Sequence, residues 1–282
     1  MSTRRKFIEK TFAGLTVLNF LPAIDLHSQP IKKYESPVKG KTKLRFALAS
    51  DAHYGEEGTD YKNDLGNMIN WLNEDHQNNK MDFVIANGDL VHDRPDLLSE
   101  VDSDYLKKLN MPYYAVPGNH DHVTTEDWRR IFGYEDNFTI DRGDIGLVLG
   151  NTTNVKGNIT GPDNTFLEKA FDNFSAKKTV LVVLHIPPVR WLETERYFFD
   201  FPKTIELLNA YPNIKAVFCG HDHSLDGVRP INKIPCFFDS HIGGSWGTAY
   251  KGYRVVEIQE DNSIHTYQVN ASKNPLLNSN RL

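Results

Sequence analysis

The stretch Pro117-Gly118-Asn119-His120-Asp121 decides the fold. It follows a short apolar run, Tyr113-Tyr114-Ala115-Val116, and reads as a turn that ends a strand. Four other pieces have the same form, each polar and each placed after an apolar run. Asp51-Ala52-His53 follows Phe46-Ala47-Leu48-Ala49, and Gly88-Asp89 follows Phe83-Val84-Ile85-Ala86. His185 follows Val180-Leu181-Val182-Val183-Leu184, and Gly220-His221-Asp222-His223 follows Ala216-Val217-Phe218-Cys219. Five strand ends thus deliver Asp51, His53, Asp89, Asn119, His185, His221 and His223. Carboxylate and amide oxygens with imidazole nitrogens form the donor set for two hard or borderline divalent metals. Open α/β sheets collect ligands at the carboxyl ends of their strands.

Between these blocks the periodicity is helical. Leu65, Met68, Ile69 and Leu72 recur at the spacing of a helix packed on a sheet, and Phe166, Leu167, Ala170, Phe171 and Phe174 share one face of another. Further helices are expected over about 99–109, 126–132 and 203–210, and a hairpin over 138–149. The unbroken apolar run Val180–Leu184 reads as a strand buried on both faces. The late runs 235–239, 253–258 and 264–269 read as successive antiparallel strands. An α/β chain of this kind suits two packed sheets with helices outside.

The ordered set D-x-H, G-D, G-N-H-D, a lone His and G-H-x-H resembles the calcineurin-like metallophosphoesterases over about residues 43–268, including members similar to cyclic-nucleotide phosphodiesterases. The resemblance implies a four-layer αββα sandwich: two mixed β-sheets flanked by helices, with a dimetal site at the carboxyl ends of the strands. It implies two divalent ions, Mn, Fe or Zn, and hydrolysis of a phosphoester by a deprotonated water that the metals hold. By the same resemblance Asp89 bridges the metals. Asp51, His53 and His223 complete one ion; Asn119, His185 and His221 complete the other. His120 belongs at the leaving-group oxygen, as proton donor or phosphate contact, with Asp93 as orienting partner and Asp121 behind it.

Four features lie outside that pattern. His92 stands three positions after Asp89, where purple acid phosphatases carry a metal-ligating Tyr. That argues against a purple tyrosinate–iron site and leaves His92 beside a ligand, near substrate, or on the surface. Arg94 is either a phosphate contact or an exposed arginine. The aromatic segment from Trp191 to Phe201 either walls the site, with Trp191 touching substrate, or packs under a loop. His241, before Gly243-Gly244, either lines the cleft or serves as a turn residue.

The substrate expected is a small phosphodiester or nucleotide. A phosphomonoesterase is the alternative within the enzymes, and a metal-bearing receptor without turnover the alternative outside them. A net charge of −5 with no basic cluster beyond the N-terminus gives no nucleic-acid track. Two cysteines make no disulfide framework; Cys219 and Cys236 read as buried thiols on neighbouring strands, a bridge between them being the other reading.

Residues 1–28, with Arg4-Arg5 ahead of a moderately apolar run, resemble a twin-arginine signal peptide read by the twin-arginine export machinery, which implies a periplasmic or cell-envelope enzyme. That apolar run is too short for a stable membrane span. Residues 29–42 read as a linker, 43–270 as the metallophosphoesterase domain, and 271–282 as a C-terminal tail.

Overall fold

A computed structural model describes residues 36, 40–191 and 199–271, and the backbone of 276–281. The signal-peptide reading lies outside the described residues. Among the described residues, twelve strands form two six-stranded sheets. The first holds β1 (Thr42–Ala49), β2 (Phe83–Asn87), β3 (Tyr113–Val116), β10 (Gly252–Gln259), β11 (Ile264–Asn270) and β12 (Leu276–Arg281), in the order β12-β11-β10-β1-β2-β3. The second holds β4 (Phe138–Arg142), β5 (Ile145–Gly150), β6 (Thr179–Leu184), β7 (Ile214–Cys219), β8 (Val228–Ile231) and β9 (Ile234–Phe238), in the order β4-β5-β6-β7-β9-β8. Both are mixed: β1–β2–β3 and β5–β6–β7–β9 run parallel, and the remaining pairs antiparallel.

Strand alternation sets the layers. Along β1, Phe46 and Leu48 meet Leu147, Leu149, Leu181, Val183, Phe218 and Phe237 between the sheets. Its Ala49 faces the other way, with Val84 and Ala86, toward Leu65, Met68 and Leu72 of α1 (Tyr61–Asn78). On the far side of the second sheet, Val180, Val182, Leu184 and Val217 pack on Leu167 and Phe171 of α4 (Asn164–Asn173) and Leu208 of α5 (Pro202–Ala210). Each buried Leu or Phe contributes roughly 1.5–3 kcal/mol, so this two-sided burial fixes β6 as a central strand. Two shorter helices, α2 (Leu98–Asp104) and α3 (Thr125–Phe132), complete the set among the described residues. The Thr124 hydroxyl caps the start of α3 by accepting from Asp127 N–H, and the Asp163 carboxylate does the same for α4. The fold is the four-layer α/β sandwich.

Two expectations change. The run 235–239 does not join a late meander: β9 crosses to the second sheet and lies parallel to β7, with Val217 opposite Cys236. Its neighbour β8, an edge strand with Val228, Arg229 and Pro230 exposed, lacks the apolar alternation that announces a strand. Leu276–Arg281, read as tail, pairs with β11 as β12, so strand structure continues past Asn270. Cys219 and Cys236 are buried free thiols with sulfurs 3.4 Å apart.

Candidate metal centre

All five blocks leave strands at the same edge of the sandwich: Asp51 and His53 after β1, Asp89 after β2, Asn119 and His120 after β3, His185 after β6, His221 and His223 after β7. Backbone hydrogen bonds tie the turns together. Asp51 N–H donates to Gly88 O at 3.0 Å, His53 N–H to Asp89 O at 2.9 Å, and Gly220 N–H to His185 O at 3.1 Å. Asp51, His53, Asp89 and His221 all have left-handed φ, 58°, 43°, 49° and 70°. Such conformations cost about 1–3 kcal/mol each in non-glycine residues and persist where surrounding structure demands them. Gly118 is required for room, since a Cβ there would strike the Asp89 carboxylate and backbone nitrogen.

Two groups result. Asp51, His53 and His223 bring their ligand atoms together, as do Asp89, His185 and His221. His53 Nε2 and His223 Nε2 face each other at 2.9 Å, and His223 Nε2 lies 3.1 Å from Asp51 Oδ1. Asp89 Oδ2 stands between the groups, 3.2 Å from His185 Nε2 and 3.7 Å from His53 Nε2. Asn119 Oδ1 is buried without a hydrogen-bond partner, and His185 Nε2 faces only the Asp89 carboxylate. Buried polar atoms are rarely left unpaired. Oxygen and imidazole donors converging around such an orphan fit divalent cations.

Electrostatics agree with the donor set. Burial opposes the charge of Asp51, but His223 and His185 outweigh it and hold the carboxyl well below its usual range. Burial likewise opposes the charge of Asp89, and His185 and His53 draw it down. Burial pushes His53 down to about 3 and, aided by His185, His221 down to about 4. Both are therefore neutral, the form that ligates metal. Burial also opposes charge on His185 and His223, yet the facing carboxylates win, taking His185 up to about 10. A divalent cation is the stronger counter-charge for those carboxylates.

His120 sits at the rim. Its Nδ1 is 2.8 Å from Asp93 Oδ1, and the same oxygen meets His122 Nε2 at 2.9 Å. Asp121 does not stand behind Asp93. It is fully buried and accepts from Gly118 N–H at 2.7 Å and Val91 N–H at 3.0 Å, holding the turn, with burial and Asp89 raising it to about 7. His92 lies beside a ligand: its Nδ1 is 2.7 Å from His53 Nδ1, and its ring stacks on His120 at 4.8 Å. His241 is buried behind His223, stacked at 4.9 Å.

Arg94 pairs with Asp96, Nη2 to Oδ2 at 2.7 Å, and is more than half exposed. Trp191 donates through Nε1 to Asp222 at 2.7 Å, packs on Phe238 at 5.0 Å and presents an edge to His221 at 6.5 Å. Residues 192–198 of that aromatic segment lie outside the described residues. Sequence reasoning missed His122, which no motif spacing marks, and Trp246, which stacks on His223 at 4.4 Å. The signal for Trp246 was an aromatic set among glycines, Gly243-Gly244-Ser245-Trp246-Gly247, after a strand.

This fold and donor set define a metallophosphoesterase-type site. The chain belongs to the calcineurin-like phosphoesterases, whose family model matches residues 44–225. It is 29% identical over 167 residues to a probable glycerophosphodiester phosphodiesterase of Arcobacter nitrofigilis, covering 52% of this chain and 60% of that protein. It is 24% identical over 252 residues to a probable cyclic nucleotide phosphodiesterase of Colwellia psychrerythraea, covering 79% and 93%. Its fold matches a dimetal phosphatase of Danio rerio with a TM-score of 0.67 at 10% identity, covering 86% of this chain and 99% of that one.

Proposed function

We propose that this chain hydrolyses small phosphodiesters with two divalent ions, drawn from Mn, Fe and Zn. Asp51, His53 and His223 hold one, Asn119, His185 and His221 the other, and Asp89 joins them. The observation that carries this is the set of ligand atoms aimed at one another at 2.9–3.9 Å, with Asn119 Oδ1 buried and without a hydrogen-bond partner beside them. Two such ions, when bound, supply neutralisation of the phosphoryl oxygens and activation of water. The diester preference draws on the relatives named as phosphodiesterases.

The chain's own residues do the rest. Asp93 accepts from His120 Nδ1–H, which leaves Nε2 to carry a proton toward the leaving oxygen. His122 shares that carboxylate oxygen and limits its motion. His92 holds the outer nitrogen of His53 and so fixes which nitrogen turns inward. Asn119 and His120 face the phosphate, and Trp191 borders it beside His221. For Arg94 to reach phosphate it must leave Asp96. Export through the twin-arginine route to the periplasm or envelope is the reading that Arg4-Arg5 and the apolar run after them support; retention of activity outside the cytoplasm after replacing both by Lys would refute it.

The test is elemental analysis of purified protein with a panel of bis-nitrophenyl diester, nitrophenyl monoester, cyclic nucleotide and glycerophosphodiester. Two metals per chain and faster diester turnover are expected. Monoester turnover alone would move the reading to a phosphatase, and no turnover at full metal loading would sink it.

A further inference from the structure

Among the described residues the exposed large hydrophobics are Val155, Phe199, Val228 and Trp246, and of these only Trp246 lays its ring on the histidine cluster. It remains 43% exposed although one face lies on His223, 4.4 Å away and within 4° of parallel. Its edge approaches His53 at 5.0 Å and His92 at 6.2 Å.

The loop holds this position firmly. Ser245 donates to the buried Glu56 carboxylate through its N–H at 3.0 Å and its hydroxyl at 2.6 Å. Trp246 O accepts from His223 Nδ1 at 3.2 Å, and Thr248 N–H donates to His223 O at 2.8 Å. The largest side chain is thus kept out of the core by a braced loop, at the mouth of a polar site. A held aromatic in a mouth lined by polar groups is the form of a ligand-ring platform.

The rings cluster about His53: Trp246 lies at 5.0 Å from it, His92 at 5.0 Å and His120 at 4.9 Å, with His120 stacked on His92 at 4.8 Å. A leaving group held at His120 lies beside His92, whose ring neighbours both His120 and Trp246. A glycerol has nothing to place there, whereas a nucleoside places its base there. We infer that Trp246 is a specificity residue that stacks the heteroaromatic base of a nucleoside phosphodiester. This rests on the phosphodiesterase reading of the same site and names its substrate class.

The experiment measures equilibrium binding of adenosine 5′-monophosphate and of glycerol 3-phosphate to the metal-loaded protein by calorimetry. Wild type is compared with Trp246→Phe, Trp246→Leu and Trp246→Ala, with metal content checked in each. Base stacking is lost by about 5–150-fold on alanine substitution. The expected result is that loss for adenosine monophosphate in the Ala and Leu variants, near-full retention in Phe, and a change of less than about twofold for glycerol phosphate. Equal weakening of both ligands would make Trp246 a mere prop for His223 and overturn the inference, as would equal behaviour of Phe and Leu or no loss at all. If wild type hydrolyses no diester yet binds adenosine monophosphate in the Trp246-dependent way, the phosphodiesterase reading falls and the platform stands.

Discussion

Two groups of buried charge sit at opposite ends of β1. Near its start, Arg45 contacts Asp75 through Nη2 at 3.0 Å and Glu257 through Nε at 2.9 Å. Tyr253 donates to Asp75 at 2.9 Å and Tyr267 to Glu257 at 2.8 Å. At its end, roughly 20 Å away at the rise of a strand, Asp51 joins Asp89 and four imidazoles. The first group brings its own cation, and its donors meet acceptors. The second gathers carboxylates and imidazoles into two facing groups, on left-handed backbone, with Asn119 Oδ1 buried and without a hydrogen-bond partner. Buried charge that is complete within the chain is part of the fold. Buried donors that converge with no cation of the chain's own are a candidate site.

The sharpest way to break that contrast is Asp89→Ala. It removes the oxygen between the two groups and should abolish turnover and stoichiometric metal while leaving a folded protein. A variant with both metals and normal rates would erase the distinction. Next comes His120→Ala. It should lower kcat/KM for alkyl leaving groups by about 10²–10⁴-fold, and for nitrophenyl esters much less, since nitrophenolate leaves without a proton. Parallel losses at full metal occupancy would make His120 a phosphate contact instead. Arg45→Met probes the other group. It strands two buried carboxylates and should cost about 3–5 kcal/mol in urea unfolding, with turnover per folded molecule unchanged. A matching loss of metal would show the two groups to be one system. The smallest effect belongs to Asn119→Ala. It should weaken the ion at His185 and His221 by at least about 10-fold, the lower cost of losing a group that only supports a ligand, and leave the ion at Asp51, His53 and His223. Equal weakening of both would contradict the grouping.

The convergence of the Asp and His residues was legible because it is local: each follows a strand end, and a five-residue window shows both. The two-sheet sandwich was legible from continuous apolar runs such as Val180–Leu184, which leave no solvent face. What escaped depended on long-range pairing. Nothing in Ile234–Phe238 says that it lies parallel to β7 instead of joining the following strands. Val228–Ile231 is an exposed edge and carries no burial pattern. Asp121 looked like a partner for Asp93 by proximity in sequence, but the turn points it inward to the N–H groups of Gly118 and Val91. His122 and Trp246 gain their meaning only when three separate loops meet, which local spacing cannot show.

Anomalous diffraction from a crystal of the manganese-loaded protein tests the central claim most directly. Two peaks are predicted, one within Asp51, His53 and His223 and one within Asn119, His185 and His221, with Asp89 touching both and none near Arg45. A single peak, or a peak outside those residues at full manganese loading, would contradict it.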